Sequence, residues 1–100
     1  MIVAYIRRSR RPGKKYDIIF ANGTKISFGA RGYSDFTIHK DVARRERYLA
    51  RHIGAENWAF DGMLTPGFWA RWLLWNKPSL AEAINDVRAR FGIKVMPARA

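Results

Sequence analysis

Apolar positions change their spacing along this chain. Before Ala30 they come in short, roughly alternating tracts, and after Lys40 they recur every three or four residues. The first pattern is that of strands and the second that of amphipathic helices. Residues 1–6 read as a short strand. Residues 16–20 and 24–28 flank Asn22-Gly23, a strong signal for a type I′ hairpin. A two-residue loop sets Ile19 opposite Ile26 and Phe20 opposite Lys25. Ile19, Ile26 and Phe28 then share one face, and Tyr16, Ile18 and Phe20 share the other. One face is expected to meet the helices. The other is expected to be partly covered, by the strand at 1–6 or by a partner. Residues 29–38 read as an ordered loop anchored by Tyr33 and Phe36. Its glycines could hold an anion, although no phosphate-loop spacing is present.

Three helices are predicted after this. The first runs from about residue 40 to 53 and is stopped by Gly54, with Val42, Leu49 and Ile53 as a thin apolar stripe. Trp58, in the loop at 54–64, is expected to tuck onto the second helix. That helix carries the other three of the four tryptophans. Thr65 stands at its N-cap and Pro66 at its first position, where a missing N–H costs nothing. Phe68, Trp72 and Trp75 form one stripe and Trp69 with Leu73 its neighbour, wide enough for a largely buried helix. It should end near Asn76, because Pro78 disfavours helical geometry at Lys77. Ser79 opens the third helix, with Glu82 completing a capping box. Leu80, Ile84, Val87 and Phe91 share a face, and Gly92 suits the C′ position. Residues 93–96 can add an edge strand before Pro97. The expected fold is α+β: a small N-terminal antiparallel hairpin or sheet packed on about three helices, in one domain over 1–100. A basic arm at 7–15, a core at about 16–93 and a tail at 94–100 subdivide it.

Charge adds a partner class to this outline. The chain has 19 Lys and Arg against 8 Asp and Glu, a net +11. Such an excess favours polyanions, nucleic acid first, with an anionic membrane surface or an acidic protein behind it. The absence of cysteine removes disulfides, thiolate metal sites and the common zinc-finger modules. The apolar start is too short for a signal-peptide core and its charges follow rather than precede it, so secretion is not expected. No apolar run is long enough for a membrane span.

Two basic groups are candidate sites. Arg7, Arg8, Arg10, Arg11, Lys14 and Lys15 surround the Pro12-Gly13 turn without an intervening acid. They read either as a solvated, flexible connection or as a basic arm for phosphates or nuclear targeting. Lys40, Arg44, Arg47 and Arg51 recur along one side of the first helix over about 16 Å. Only Asp41 and Glu46 are near enough in sequence to relieve their repulsion, and a polyanion would relieve it better. Exposed tryptophans beside cations can stack bases, but the regular spacing here favours a core. His39, Asp41, His52, Glu56, Asn57 and Asp61 are the one polar cluster open to a catalytic reading. Metal-dependent nuclease chemistry on His39, His52 and Asp61 is the enzymatic alternative, yet no metal or nucleophile motif is present. No catalytic residue, metal or cofactor is assigned.

Three blocks together carry a resemblance. They are Ser27-Phe28-Gly29-Ala30-Arg31-Gly32-Tyr33-Ser34-Asp35-Phe36-Thr37 with His39-Lys40-Asp41; Arg47-Tyr48-Leu49-Ala50-Arg51-His52 with Glu56-Asn57-Trp58; and residues 65–78 around Trp69, Trp72 and Trp75. In these, over about residues 14–93, the chain resembles a family of small basic proteins encoded by large DNA viruses, notably those infecting algae and amoebae. That family brings no established activity, so no functional residue is carried over. The resemblance implies a viral setting, in the virion or the infected cell. The expected function is sequence-independent binding of nucleic acid, double-stranded DNA first, through phosphate contacts from the two basic groups. The alternative is a minor capsid or internal virion component that meets capsid protein or an inner membrane. Oligomeric state and the choice between DNA and RNA stay open.

Overall fold

A computed structural model describes residues 1–98. Strands β1 (Ile2–Arg8), β2 (Lys14–Phe20) and β3 (Lys25–Ala30) form an antiparallel meander. A fourth strand, β4 (Ile93–Pro97), adds to the free edge of β1, giving the order β3-β2-β1-β4. The edge strand offered for residues 93–96 forms, and it runs parallel to β1, with Ile2 beside Ile93 and Ala4 beside Val95. A parallel neighbour requires a long connection, which here contains β2, β3 and every helix among the described residues. The α+β fold is as expected.

The first hairpin corrects the reading of residues 7–15 as an arm. Arg7 and Arg8 belong to β1 and Lys14 and Lys15 to β2, and only the turn between them leaves the sheet. Ser9 N–H bonds to Lys15 O at 3.0 Å and Lys14 N–H to Arg11 O at 3.2 Å, so the turn is stitched to its strands.

The second hairpin has a different loop from the one predicted. Ile18 pairs with Ile26 and Ile19 with Lys25, one residue out of the expected register. Phe20 N–H bonds to Thr24 O at 2.9 Å, closing a three-residue loop of Ala21, Asn22 and Gly23. Gly23 sits at φ +90, the left-handed position such a loop needs, and Asn22 Oδ1 accepts from Thr24 N–H. Asn-Gly serves both loop lengths, so the dipeptide alone cannot choose. Burial decides: this register puts Ile18, Phe20, Ile26 and Phe28 on one face, all buried, whereas the predicted one splits them. Asp17 and Ser27 then face each other on the other side, with Ser27 Oγ donating to Asp17 Oδ1 at 2.7 Å. The strand at 1–6 lies beside this hairpin rather than over it.

Helices cover the apolar face. α3 (Pro66–Trp69) runs on into a π-turn over Ala70–Leu74, where Trp75 N–H reaches back to Ala70 O at 3.1 Å. The widened turn buries Trp72, Leu73 and Leu74 in succession. Phe68, Trp69 and Leu73 are fully buried against Ile18, Phe20 and Phe28, so these tryptophans are core, with Trp75 half-buried. Trp72 Nε1 donates to Trp58 O at 2.8 Å, which ties the preceding loop down. Thr65 holds the N-cap position but its hydroxyl donates to Gly62 O rather than capping. α4 (Leu80–Phe91) begins at Ser79, whose Oγ accepts from Glu82 N–H at 3.1 Å, and ends at Gly92 with φ +69. Ala83 and Val87 are its buried residues.

Two helices precede these. α1 (Phe36–His39) is a single turn capped by Asp35, whose carboxylate accepts from Thr37 N–H, and it buries Phe36. α2 (Val42–His52) starts from Asp41, whose Oδ1 accepts from Ala43 and Arg44 N–H. Here the predicted stripe of Val42, Leu49 and Ile53 holds only at the half-buried Leu49. Val42 is 55% exposed and Ile53 66%, while Tyr48 is buried. The Tyr48 ring stacks on Trp75, with centroids 4.2 Å apart and planes at 3°, and His52 stacks on Tyr48 at 4.3 Å. No helix of the described residues is long and apolar enough to cross a membrane.

Candidate nucleic-acid interface

The stacked rings fix α2 beside the ends of β2 and β3. Between them lies an open cleft of about 530 Å³. Its walls bring together two pieces far apart in sequence: Lys14 and Lys15 from β2, and Arg44, Arg51 and His52 from α2. Two carboxylates, Asp35 and Glu56, line the same space. Asp35 is paired with Lys15 Nζ at 2.6 Å. Glu56 lies 3.4 Å from His52 Nδ1 and accepts from Trp58 Nε1 at 3.3 Å. It also abuts Gly67, where an added Cβ would stand 2.6 Å from the carboxylate, so this glycine leaves room for Glu56. Among the described residues Lys14, Arg44, Arg47 and Arg51 form no ion pair. Lys14, Lys15, Arg44 and Arg51 against Asp35 and Glu56 leave the cleft positive. Burial, and then the Glu56 carboxylate, push the Tyr48 phenol upward, so the floor stays uncharged at neutral pH.

The other candidate residues are placed differently. Arg7 turns to the sheet and bonds Asp17 Oδ2 at 3.1 Å. Burial raises the Asp17 pKa, but hydrogen bonds from Ser27, Ser9 and Arg7 outweigh it and hold the carboxyl below its ordinary value. Arg7 is thereby neutralised by a structural partner. Arg8 is exposed, 5.8 Å from the Tyr16 ring, and lines a second cleft of about 690 Å³ with Arg31, Tyr33 and Lys15. Arg10 and Arg11 project from the turn into solvent. Lys40 is not part of the α2 stripe. It sits at φ +56 after α1, and its Nζ donates to Thr37 O at 2.8 Å and Pro78 O at 2.7 Å. The sequence spacing aligned it with Arg44 only if one helix ran unbroken through Asp41. Arg47 is exposed on α2 outside the cleft.

The polar cluster open to a nuclease reading is dispersed. His39 Nδ1 accepts from Asp41 N–H at 2.9 Å, His52 faces Glu56, and Asn57 Nδ2 donates to Asp61 Oδ1 at 2.9 Å. Among the described residues no three His, Asp or Glu side chains group as metal ligands. Arg31 went unassigned in the sequence, and its sole signal was its place in the glycine-rich loop. Arg31 Nη2 donates to Ser9 O at 2.8 Å, pinning that loop to the first turn.

No curated protein and no solved structure matches this chain. Residues 4–52, which carry the Lys14–Lys15 and Arg44–Arg51 walls of the cleft, are similar to a family whose model is described as a family of unknown function (DUF5754).

Proposed function

We propose that this protein binds nucleic acid without regard to sequence, by phosphate contacts on the face that holds the cleft. The observation that carries this is the convergence of Lys14, Arg44 and Arg51, none of them in an ion pair among the described residues, on one cleft from two separate elements, with Lys15 beside them held by Asp35. Cations held together this way repel one another, and a polyanion relieves that repulsion. Arg47, exposed on the same helix, and Arg8, Arg10 and Arg11 extend the positive surface. Duplex DNA, whose phosphates are the more densely spaced, is the first probe for these contacts. A large DNA virus is the proposed setting, with the protein packaged beside the genome, on the strength of the resemblance described above.

The test is a titration of duplex DNA at several salt concentrations. About four phosphate contacts, from Lys14, Arg44, Arg47 and Arg51, which form no ion pair among the described residues, give a slope of log K against log salt of about −3.6. Arg44→Ala is expected to weaken binding to every sequence alike and to make the slope shallower by about 1. Absence of binding at low salt, where +11 acts most strongly, overturns the reading.

A second reading, a small virion component that meets capsid protein, draws on the exposed apolar side chains Ile38, Val42 and Ile53. It predicts that Arg44→Ala leaves DNA affinity unchanged and that a protein copurifies in fixed ratio.

A further inference from the structure

Tyr33 is 74% exposed, a large aromatic ring left in water. Its backbone is nevertheless held on both sides. Tyr33 N–H bonds to Ala30 O at 3.2 Å, and Arg31 N–H to Gly13 O at 2.9 Å. Asp35, 2% exposed, locks the following residues through Lys15 and Thr37. An exposed ring on an anchored turn is ready to bind a flat ligand with little further loss of freedom.

The ring also has a particular position. Tyr33, Lys15 and Asp35 line both clefts, so they form the ridge between them. On one side stand Lys14, Arg44 and Arg51, and on the other Arg8 and Arg31. The Asp35 carboxylate is matched by Lys15, which leaves the ridge without net repulsion for an anion. Cations on two sides of an exposed aromatic suit a chain that alternates phosphates with π-faces.

Duplex DNA can use only the cations of this arrangement and not the ring. Its bases are stacked inside a stiff rod, so it offers phosphates to the rim but no base face to Tyr33. A single strand bends, and every base in it has a free face. Resting on the phosphate-binding reading above, we propose that the Tyr33 ridge is a seat for single-stranded nucleic acid. One base stacks on the Tyr33 ring, and the phosphates on either side of it lie in the two clefts. The stacking is indifferent to base identity, which keeps recognition independent of sequence.

Fluorescence anisotropy of the full chain tests this, with a labelled 20-nucleotide oligothymidine and a 20-base-pair duplex as probes at the same salt concentration. The wild type is expected to bind the single strand more tightly than the duplex. Tyr33→Ala should weaken the single strand about tenfold and leave the duplex unchanged, while Tyr33→Phe retains the wild-type affinity. The exposure of Tyr33 makes loss of folding a minor concern, and an unchanged melting temperature checks it. Preference for the duplex, an equal loss on both probes, no loss on either, or the same loss with Phe as with Ala each overturns the single-strand seat. If neither probe binds the wild type, the phosphate-binding reading itself falls.

Discussion

α4 and α2 are nearly equal in length, twelve and eleven residues, yet they attach to the protein by opposite means. α4 lays Ala83 and Val87 into the core beside β4, while Glu82, Arg88 and Arg90 stay exposed. α2 turns Tyr48 inward with the face of His52 stacked on it and with Arg45, whose guanidinium lies 4.9 Å from the Phe36 ring and donates to Asn76 O at 3.1 Å. Its aliphatic Val42 and Ile53 face water. The sheet's apolar face is already filled by α3, its π-turn and α4. α2 therefore docks on a half-buried Trp75 by ring stacking and polar contacts. A helix held on its aromatic side can offer an entire second face, Arg44, Arg47 and Arg51, to a ligand.

The largest effect should come from putting a charge into the α4 attachment. Val87→Asp buries an unpaired carboxylate at a fully enclosed position and is expected to cost about 4 kcal/mol or more, read as loss of cooperative thermal unfolding. Wild-type melting would mean that α4 is not packed as described. A middle-sized effect joins the two helices. Asn76 Nδ2 donates to Asp86 Oδ2 of α4 at 2.7 Å, while Asn76 O receives Arg45 of α2. Burial raises the Asp86 pKa, but the bonds from Asn76 and Arg90 more than reverse this, so the folded value lies below the unfolded one. Asp86 therefore stabilises the fold above its unfolded pKa, and this contribution disappears as pH falls through the lower, folded one. Asp86→Ala should cost about 2 kcal/mol at pH 7, and the gap in melting temperature between it and the wild type should close in acid. A gap that is independent of pH would refute the pairing. The smallest effect belongs to α2. Val42→Glu should change stability by about 0.5 kcal/mol or less, since the residue is exposed and an acid suits the first turn. A large loss there would show that the apolar side of α2 is covered.

This contrast also explains which parts could be read in the sequence. α4 was legible at both ends and along its face because local capping, apolar spacing and burial agree: Ser79, Leu80 to Phe91 and Gly92. The tryptophans were legible as core for the same reason. α2 was legible as a helix but not in orientation, because Tyr48 and His52 pack by stacking, which an apolar-spacing rule does not count. Lys40 was misplaced because Asp41 begins a new helix after a left-handed residue. The hairpin register failed on a loop that Asn-Gly fits at two lengths. The candidate cleft was half legible. Lys14, Lys15, Arg44 and Arg51 were singled out as two separate groups, but their meeting depends on how α2 docks, and so does the place of Tyr33 between two clefts.

The parallel pairing of Ile2 with Ile93 bears on the order of folding. β1 reaches β2 across a short turn, and β2 reaches β3 across another, so the meander closes small loops and can form early. β4 joins only after the entire helical crossover has been gathered, the largest loop closure among the described residues. Until then β1 carries an open edge, the feature that invites pairing with another chain. The interval between meander and completed sheet is therefore the vulnerable stage, and its length depends on how soon α4 forms and brings β4 back.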